Sequence, residues 1–211
     1  MSIIYQNGFP DFFTQAPTLT LFDPLSQFLG AVEQGRVTYY YQDAVKLAGH
    51  SCPTVAAAFL MTIKGLQALY GEEIPERGGI EVRFAKGRDE GTTGVTGSII
   101  TLLTGAATEM GFGGIGQNQR FVRRNLLSFS QPIEGNVVFS RKDNGKSVAV
   151  RLHLDEVVPW TEQMKTLLPK AVSGQASAEE LATFAELWQL RVKQVLIDFA
   201  DDPRLVEVIN L

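Results

Sequence analysis

The stretch GHSCPTVAAAFLMTIKGLQALY, residues 49–70, determines the fold more than any other part of the chain. Pro53 suits the first turn of a helix, which makes Cys52 the N-cap, and Gly71 ends the helix. Apolar residues occupy nearly every face in between, and Lys64 is the one charge. Because a helix that is apolar all round is buried, this pattern predicts a central helix around which the rest of the chain packs.

Both flanks of this helix carry a mixture of helix and strand signals, which predicts an α+β fold. The predicted strands are Val37–Tyr41, IEVRFA at 80–85, and the hairpin strands NVVFSR at 136–141 and SVAVRLHL at 147–154, joined by a turn at Asn144-Gly145. The predicted helices are a first one from an Asp23 cap to about Glu33, a single turn at Ala44–Ala48 and a second buried helix at Val95–Met110.

Beyond Asp155 the sequence shows helix signals only. Helices are predicted to start at Thr161, at Ala178 with a capping box of Ser177 and Glu180, and after Asp202-Pro203. We therefore expect a core in residues 1–154, with two buried helices against a small mixed sheet. Residues 155–211 are expected to form a helical extension packed on that core.

Composition excludes several classes of protein. The net charge of −4 and pI of about 5.3 provide no positive field for nucleic acid or an anionic membrane. A single cysteine excludes an internal disulfide, and the first 35 residues contain no Lys or Arg for a secretory signal. The longest uncharged stretch, Gly91–Thr108, has too many Thr and Gly residues for a membrane span. These features indicate a cytoplasmic protein.

The segment GFGGIG, residues 111–116, formally matches the dinucleotide-binding fingerprint. That fingerprint works only between a strand and a helix, whereas this segment follows a predicted helix, so a tight helix-to-strand connection is favoured. A glycine-rich anion nest served by Arg120, Arg123 or Arg124 is an alternative. The same arginines are also typical of a solvated strand edge.

His50 and Cys52 combine two soft ligands in one short turn. A cysteine at a helix N-cap meets the positive end of the helix dipole, which favours the thiolate. Thiolate and imidazole together suit zinc or a later first-row metal. Two other interpretations remain open: a buried cysteine beside a histidine bonded to a carbonyl, and a catalytic thiol paired with histidine.

Residues 37–154 resemble the FmdE family, which takes its name from a component of formylmethanofuran dehydrogenase. The resemblance rests on GHSCP at the mouth of the apolar helix, on the strand that follows, and on ITLLTGAATEMGFGGI at 100–115. It implies a compact α+β fold, a homodimer and a metal, usually zinc, with His50 and Cys52 as ligands. Thr104-Gly105 corresponds to the family's second landmark.

This chain departs from the family at the remaining ligand positions. Family members usually carry a Cys and an Asp early in the second helix and a further Cys after Thr-Gly. Here Val95–Ser98 and Ala106 stand there, and the C-terminal zinc-ribbon cysteines of some members are missing. His153, Asp89, Glu90 or water are therefore the candidates to complete a metal site.

The sequence thus predicts a zinc-binding protein of the FmdE type that acts as an accessory or ligand-binding module. The alternatives are a metal-dependent enzyme with an open coordination position, and a metal-free interaction protein. The expected partners are a second copy of the chain and a small anionic ligand, but neither nucleic acid nor membrane.

Overall fold

The computed structural model describes residues 3–211 and has the predicted α+β fold. In chain order the elements are β1 Tyr5–Gln6, β2 Phe9–Pro10, β3 Leu19–Phe22, α1 Pro24–Phe28, β4 Arg36–Tyr39, α2 Tyr41–Ala48, α3 Pro53–Tyr70, β5 Ile80–Phe84, α4 Thr93–Thr104, β6 Leu127–Ser128, β7 Val137–Arg141, β8 Ser147–Leu152, α5 Leu154–Val157, α6 Glu162–Val172, α7 Ala178–Lys193 and β9 Val206–Asn210.

A five-stranded mixed sheet forms one layer of the core, with the strand order β6-β5-β7-β8-β9. Strand β5 runs parallel to β6, with Val82 opposite Leu127, and all other pairs are antiparallel. Two short antiparallel ribbons, β1 with β2 and β3 with β4, lie outside this sheet. The predicted small mixed sheet is therefore confirmed.

Helix α3 forms the centre of the core and packs on β7, β8 and β9. Its bounds agree with the prediction, and most of its side chains are buried. Gly65 allows the close approach to the sheet, because a Cβ there would lie 2.7 Å from the ring of Phe139. Each large apolar side chain buried here contributes about 1.5–3 kcal/mol. Helix α4 packs on α3 as the second buried helix.

Within residues 3–211, no helix combines the length and apolar character needed to cross a membrane. Helix α3 is the most apolar of the long helices, but Lys64 on it pairs with Asp201 at 2.5 Å. Its apolar faces are covered by the sheet, by α4 and by the C-terminal helices.

Two helices are shorter than the sequence predicts. Helix α1 ends at Phe28 instead of Glu33, since Gly30 has a left-handed φ of 67°. Helix α4 ends at Thr104 instead of Met110, because Gly105 adopts φ 73° and its N–H caps the carbonyl of Thr101.

The expectation that no strand follows Asp155 is wrong. Residues 206–210 form β9, which pairs with β8 at the edge of the main sheet, Ala149 lying opposite Ile209. The capped helix α7 does form from Ala178, and it continues into a π-helical turn at Gln194–Asp198. Val192 and Val195 are fully buried, so the C-terminal end of this helical segment packs on the chain's own core.

Candidate functional site

Cys52 lies at the N-cap of α3, as the sequence predicts. Its Sγ accepts a hydrogen bond from the amide of Val55 at 3.4 Å, and Pro53 follows in the first turn. The residue is 7% exposed, so its sulfur lies just beneath the surface. The thiol therefore occupies the positive end of an 18-residue helix that is itself fixed in the core.

His50 is exposed in the turn between α2 and α3. Its Nδ1 lies 3.0 Å from the carbonyl oxygen of Ala48. Because a carbonyl oxygen only accepts, Nδ1 carries the proton in the neutral ring, and the lone pair of Nε2 is left for another partner. A backbone carbonyl on the far nitrogen is the usual second partner of a metal-binding histidine.

Ser51, between these two residues, is held by the C-terminal helix α7. Its carbonyl oxygen accepts from Trp188 Nε1 at 3.0 Å and from Gln189 Nε2 at 3.2 Å. Its hydroxyl donates to Gln189 Oε1 at 3.1 Å and accepts from Tyr41 at 3.0 Å. Burial raises the pKa of Tyr41, so the Tyr41 hydroxyl stays protonated and donates to the Ser51 hydroxyl. The turn is thus fixed from two sides.

Sequence reasoning missed this contact between α7 and the His50 turn. Trp188 lies on a helix that the sequence predicts only as part of the helical extension, and its indole N–H gives no local sign of a partner 137 residues away. A tryptophan and a glutamine adjacent on a half-buried helix face are a weak signal, because the N–H of a buried indole usually finds an acceptor.

The proposed additional metal ligands lie elsewhere. His153 follows β8, with Nδ1 3.5 Å from Glu156 Oε1 and Nε2 3.6 Å from Glu207 Oε2. Asp89 and Glu90 lie exposed in the turn before α4. Among residues 3–211 no group of three or more His, Cys, Asp or Glu side chains is placed to hold a metal ion. The chain therefore does not bring these candidates together with His50 and Cys52.

Neither the scan against protein-family models nor the search of curated proteins finds a match for this chain. The resemblance to the FmdE family therefore rests on the sequence motifs themselves. Of these, the Thr104-Gly105 landmark has a clear structural role. The buried hydroxyl of Thr104 bonds to the Ile100 carbonyl and accepts from the amide of Ala106, and this fixes the end of α4.

The glycine-rich segment 111–116 forms a tight loop between α4 and β6. Gly114 has φ 91°, and a Cβ there would lie 2.5 Å from the backbone of Gln119. The glycines thus permit a narrow backbone bridge between Ile115 and Arg120. The loop precedes no helix, so the structure agrees with the helix-to-strand connection rather than a dinucleotide site.

The three arginines considered for an anion nest do not converge. Arg120 lies over the ring of Phe121 at 4.7 Å and is exposed. Arg124 is also exposed, whereas Arg123 is buried and donates to Asp23 at 2.8 Å. An anion nest built from these side chains is therefore not formed.

Asp23 is the centre of a buried ionic cluster. Besides Arg123, it accepts from Arg77 Nη1 at 2.9 Å and from the amides of Leu25 and Ser26 at the start of α1. Burial alone would raise the pKa of Asp23, but the Ser26 amide and the two guanidinium groups outweigh it and lower the pKa. Two guanidinium groups thus share one buried carboxylate, and the exposed Glu76 also acts on Arg123.

Proposed function

We propose that the protein is a metal-binding protein of the FmdE type, with His50 and Cys52 as two of the ligands and zinc as the preferred metal. The observation that carries the proposal is the hydrogen bond between His50 Nδ1 and the Ala48 carbonyl. It leaves the lone pair of Nε2, on an exposed side chain two residues from Cys52, to bind a metal. The hydrogen bonds from Trp188 and Gln189 to the Ser51 carbonyl limit movement of the turn that holds both residues.

The two donors fit zinc in their chemistry, since imidazole nitrogen and thiolate sulfur are its common protein ligands. They do not fill a tetrahedral shell, which takes four ligands. Water, a small ligand or another chain would supply the remaining donors. A site with that many external ligands suits reversible delivery or detection of a ligand, so we favour an accessory or ligand-binding role.

Zinc binding is tested by equilibrium dialysis and elemental analysis of the purified protein. We expect one zinc per chain in the wild type and binding weakened by roughly tenfold or more in His50→Ala and in Cys52→Ser. Serine is a favoured N-cap, so the second variant keeps the start of α3. His153→Ala removes the other histidine of the sequence and serves as the matched control, which should bind like the wild type.

Thiol labelling provides an independent measurement of the same site. Zinc should protect Cys52 from a thiol reagent in the wild type and in His153→Ala, but not in His50→Ala. Equal labelling with and without zinc in the wild type would contradict the proposal. Zinc loss in His153→Ala together with retention in His50→Ala would place the metal elsewhere.

A further inference from the structure

A cleft of about 500 Å³ opens along the outer face of α4. It lies between that helix, the end of α2 and the segment that leads from α4 to β6. The lining residues are Leu47, Arg77, Arg88, Gly94, Gly97, Ser98, Thr101, Leu102, Ala107, Thr108, Met110, Leu127 and Phe129. Neither His50 nor Cys52 belongs to this lining, so the cleft is a separate candidate site.

The charge of this lining is positive, with two arginines and, among the described residues, no carboxylate. Arg77 is held in place by Asp23 and by the Leu102 carbonyl, which its Nη2 reaches at 3.0 Å. Its buried Nε has no hydrogen-bond partner among residues 3–211. Arg88 is exposed, and no described residue pairs with it. One fixed and one free guanidinium therefore face the same cleft.

The ionic cluster behind Arg77 adds to this positive charge. Arg123 donates to the Asp23 carboxylate that Arg77 also uses, so the carboxylate does not neutralise both. A further acid, Glu76, is exposed and acts on Arg123. Nη1 and Nε of Arg123 are buried without a partner among the described residues. Two guanidinium groups with one buried carboxylate therefore lie behind the cleft as part of the fold, and the exposed, solvent-screened charge of Glu76 offsets them only in part.

Polar donors on α4 and on the segment just after it complement the arginines. The hydroxyls of Thr101 and Thr108 make no hydrogen bond to the described part of the chain, and both are partly exposed in the lining. Thr92 places no side-chain cap on the first turn of α4, so that turn also presents uncapped amides near Gly94. Hydroxyls and uncapped amides of this kind can donate to an anion.

The remaining surface of the cleft is apolar and includes two exposed side chains. Met110 is 86% exposed and Leu47 is 51% exposed, and Phe129 also belongs to the lining. Exposed apolar side chains around a cleft with a few polar groups are typical of a small-molecule site, and the volume falls in the usual range of about 300–1,000 Å³.

We propose that this cleft binds a small organic anion that has an apolar body and one acidic group. Arg88 and Arg77 would bind the acidic group, and the apolar body would pack against Leu47, Met110 and Phe129. Carboxylate, sulfonate and phosphate share the planar or tripodal oxygens that guanidinium groups recognise. The site is distinct from the proposed metal site, so either one can fail without the other.

The proposal is tested with two dyes that share an aromatic body. 1-Anilinonaphthalene-8-sulfonate carries one anionic group, and N-phenyl-1-naphthylamine is its neutral counterpart. Fluorescence titration of the folded full-length protein should show saturable binding of the anionic dye at one site per chain. Arg88→Gln should weaken that binding about fivefold and leave the neutral dye unaffected.

Arg120→Gln is the matched control, because Arg120 is an exposed arginine on the neighbouring loop outside the lining. Its affinity for the anionic dye should equal that of the wild type. Thr101→Val, which keeps the shape of the side chain, should give a smaller loss than Arg88→Gln. Amide chemical shifts of Gly94 and Gly97 should move during the titration.

Three outcomes would overturn the proposal. The first is non-saturable binding of the anionic dye, and the second is unchanged affinity in Arg88→Gln. The third is a loss in Arg120→Gln with retention in Arg88→Gln, which would move the anion to the glycine-rich loop. Circular dichroism establishes that each variant is folded before titration.

Discussion

At the scale of single residues, the buried carboxylate of Asp23 links several distant parts of the chain. It caps α1 through two amides and joins that helix to Arg77 and Arg123, residues that are 54 and 100 positions away in sequence. Removing one partner of a buried ionic group leaves the others uncompensated, which costs much more than the pair contributes. This side chain therefore connects the N-terminal part of the chain to the base of the cleft.

We expect Asp23→Ala to lower the free energy of unfolding by about 3–5 kcal/mol near neutral pH, because two guanidinium groups lose their shared acceptor. Chemical denaturation followed by circular dichroism measures this. Glu134→Ala, which removes a surface partner of Arg151 at 3.2 Å, is the control and should change stability by about 0.5 kcal/mol or less. Equal effects of the two substitutions would contradict the assigned role of Asp23.

The same substitution has a defined pH dependence. The pKa of Asp23 is lower in the folded protein than its ordinary value of 3.8, so its stabilising contribution is complete above that value. The contribution is lost as the pH falls through the lowered pKa. The stability difference between wild type and Asp23→Ala should therefore be constant from about pH 5 upward and shrink in stronger acid.

At the scale of elements, helix α7 determines how rigid the His50 turn is. Trp188 also packs against Trp160 and Phe184, with ring centroids 5.6 and 5.5 Å away. These two ring contacts hold the indole in place, and its N–H donates to the Ser51 carbonyl. The C-terminal region contributes directly to the candidate site, although it supplies no proposed ligand.

Trp188→Phe should keep much of this ring packing and remove the hydrogen bond to Ser51. The Ser51 carbonyl then keeps only its hydrogen bond from Gln189, so the turn next to Cys52 is held less firmly. We therefore expect the reaction of Cys52 with a thiol reagent in metal-free protein to accelerate several-fold. Trp160→Phe is the control, since Trp160 packs on Trp188 without touching the turn through a hydrogen bond. Equal labelling rates in the wild type and Trp188→Phe would show that the contact does not restrain the turn.

Elements with local signals could be predicted, whereas those that depend on distant partners could not. Helix α3 was predicted to the residue because Cys52, Pro53 and Gly71 mark its ends. Strand β9 was missed because VEVIN, at 206–210, is short and follows Asp202-Pro203, which resembles a helix start. Its strand conformation comes from pairing with β8, about 60 residues earlier.

The candidate sites divide in the same way. The positions of Cys52 at the N-cap and His50 in the preceding turn follow from local sequence. The Asp23 cluster and the cleft join residues from several elements, and no spacing in the chain signals their meeting. Arg88, which is the unpaired charge of the cleft, lies between the predicted strand at 80–85 and the predicted helix that starts at Val95, where the sequence predicts neither helix nor strand.

At the scale of the whole molecule, the N-terminal segment is our candidate for a contact between two copies. Phe12 and Phe13 of that segment are buried against the chain's own core, whereas Ile4 and Tyr5 are 67% and 64% exposed. Exposed apolar side chains next to one another are typical of interaction surfaces. A homodimer therefore stays a prediction, and we propose this segment as its contact.

Sedimentation at micromolar concentration should give a species of twice the 23.2 kDa chain mass. Tyr5→Glu combined with Ile4→Glu should shift it to the monomer, because charges would be buried in the contact. Val172→Glu, at an apolar position that is 80% exposed on α6, is the control and should leave the dimer intact. A wild-type monomer would contradict the expectation, and a dimeric double variant would exclude this surface.

Strand β9 is the last element of the fold to be synthesised. Strand β8 is complete after Leu152, but its outer edge receives β9 only after three helices and more than 50 further residues. On the ribosome, at about 5–20 residues per second, that edge stays open for seconds with its amides and carbonyls unpaired. We therefore expect the edge of β8 to be the place where neighbouring nascent chains pair wrongly most readily.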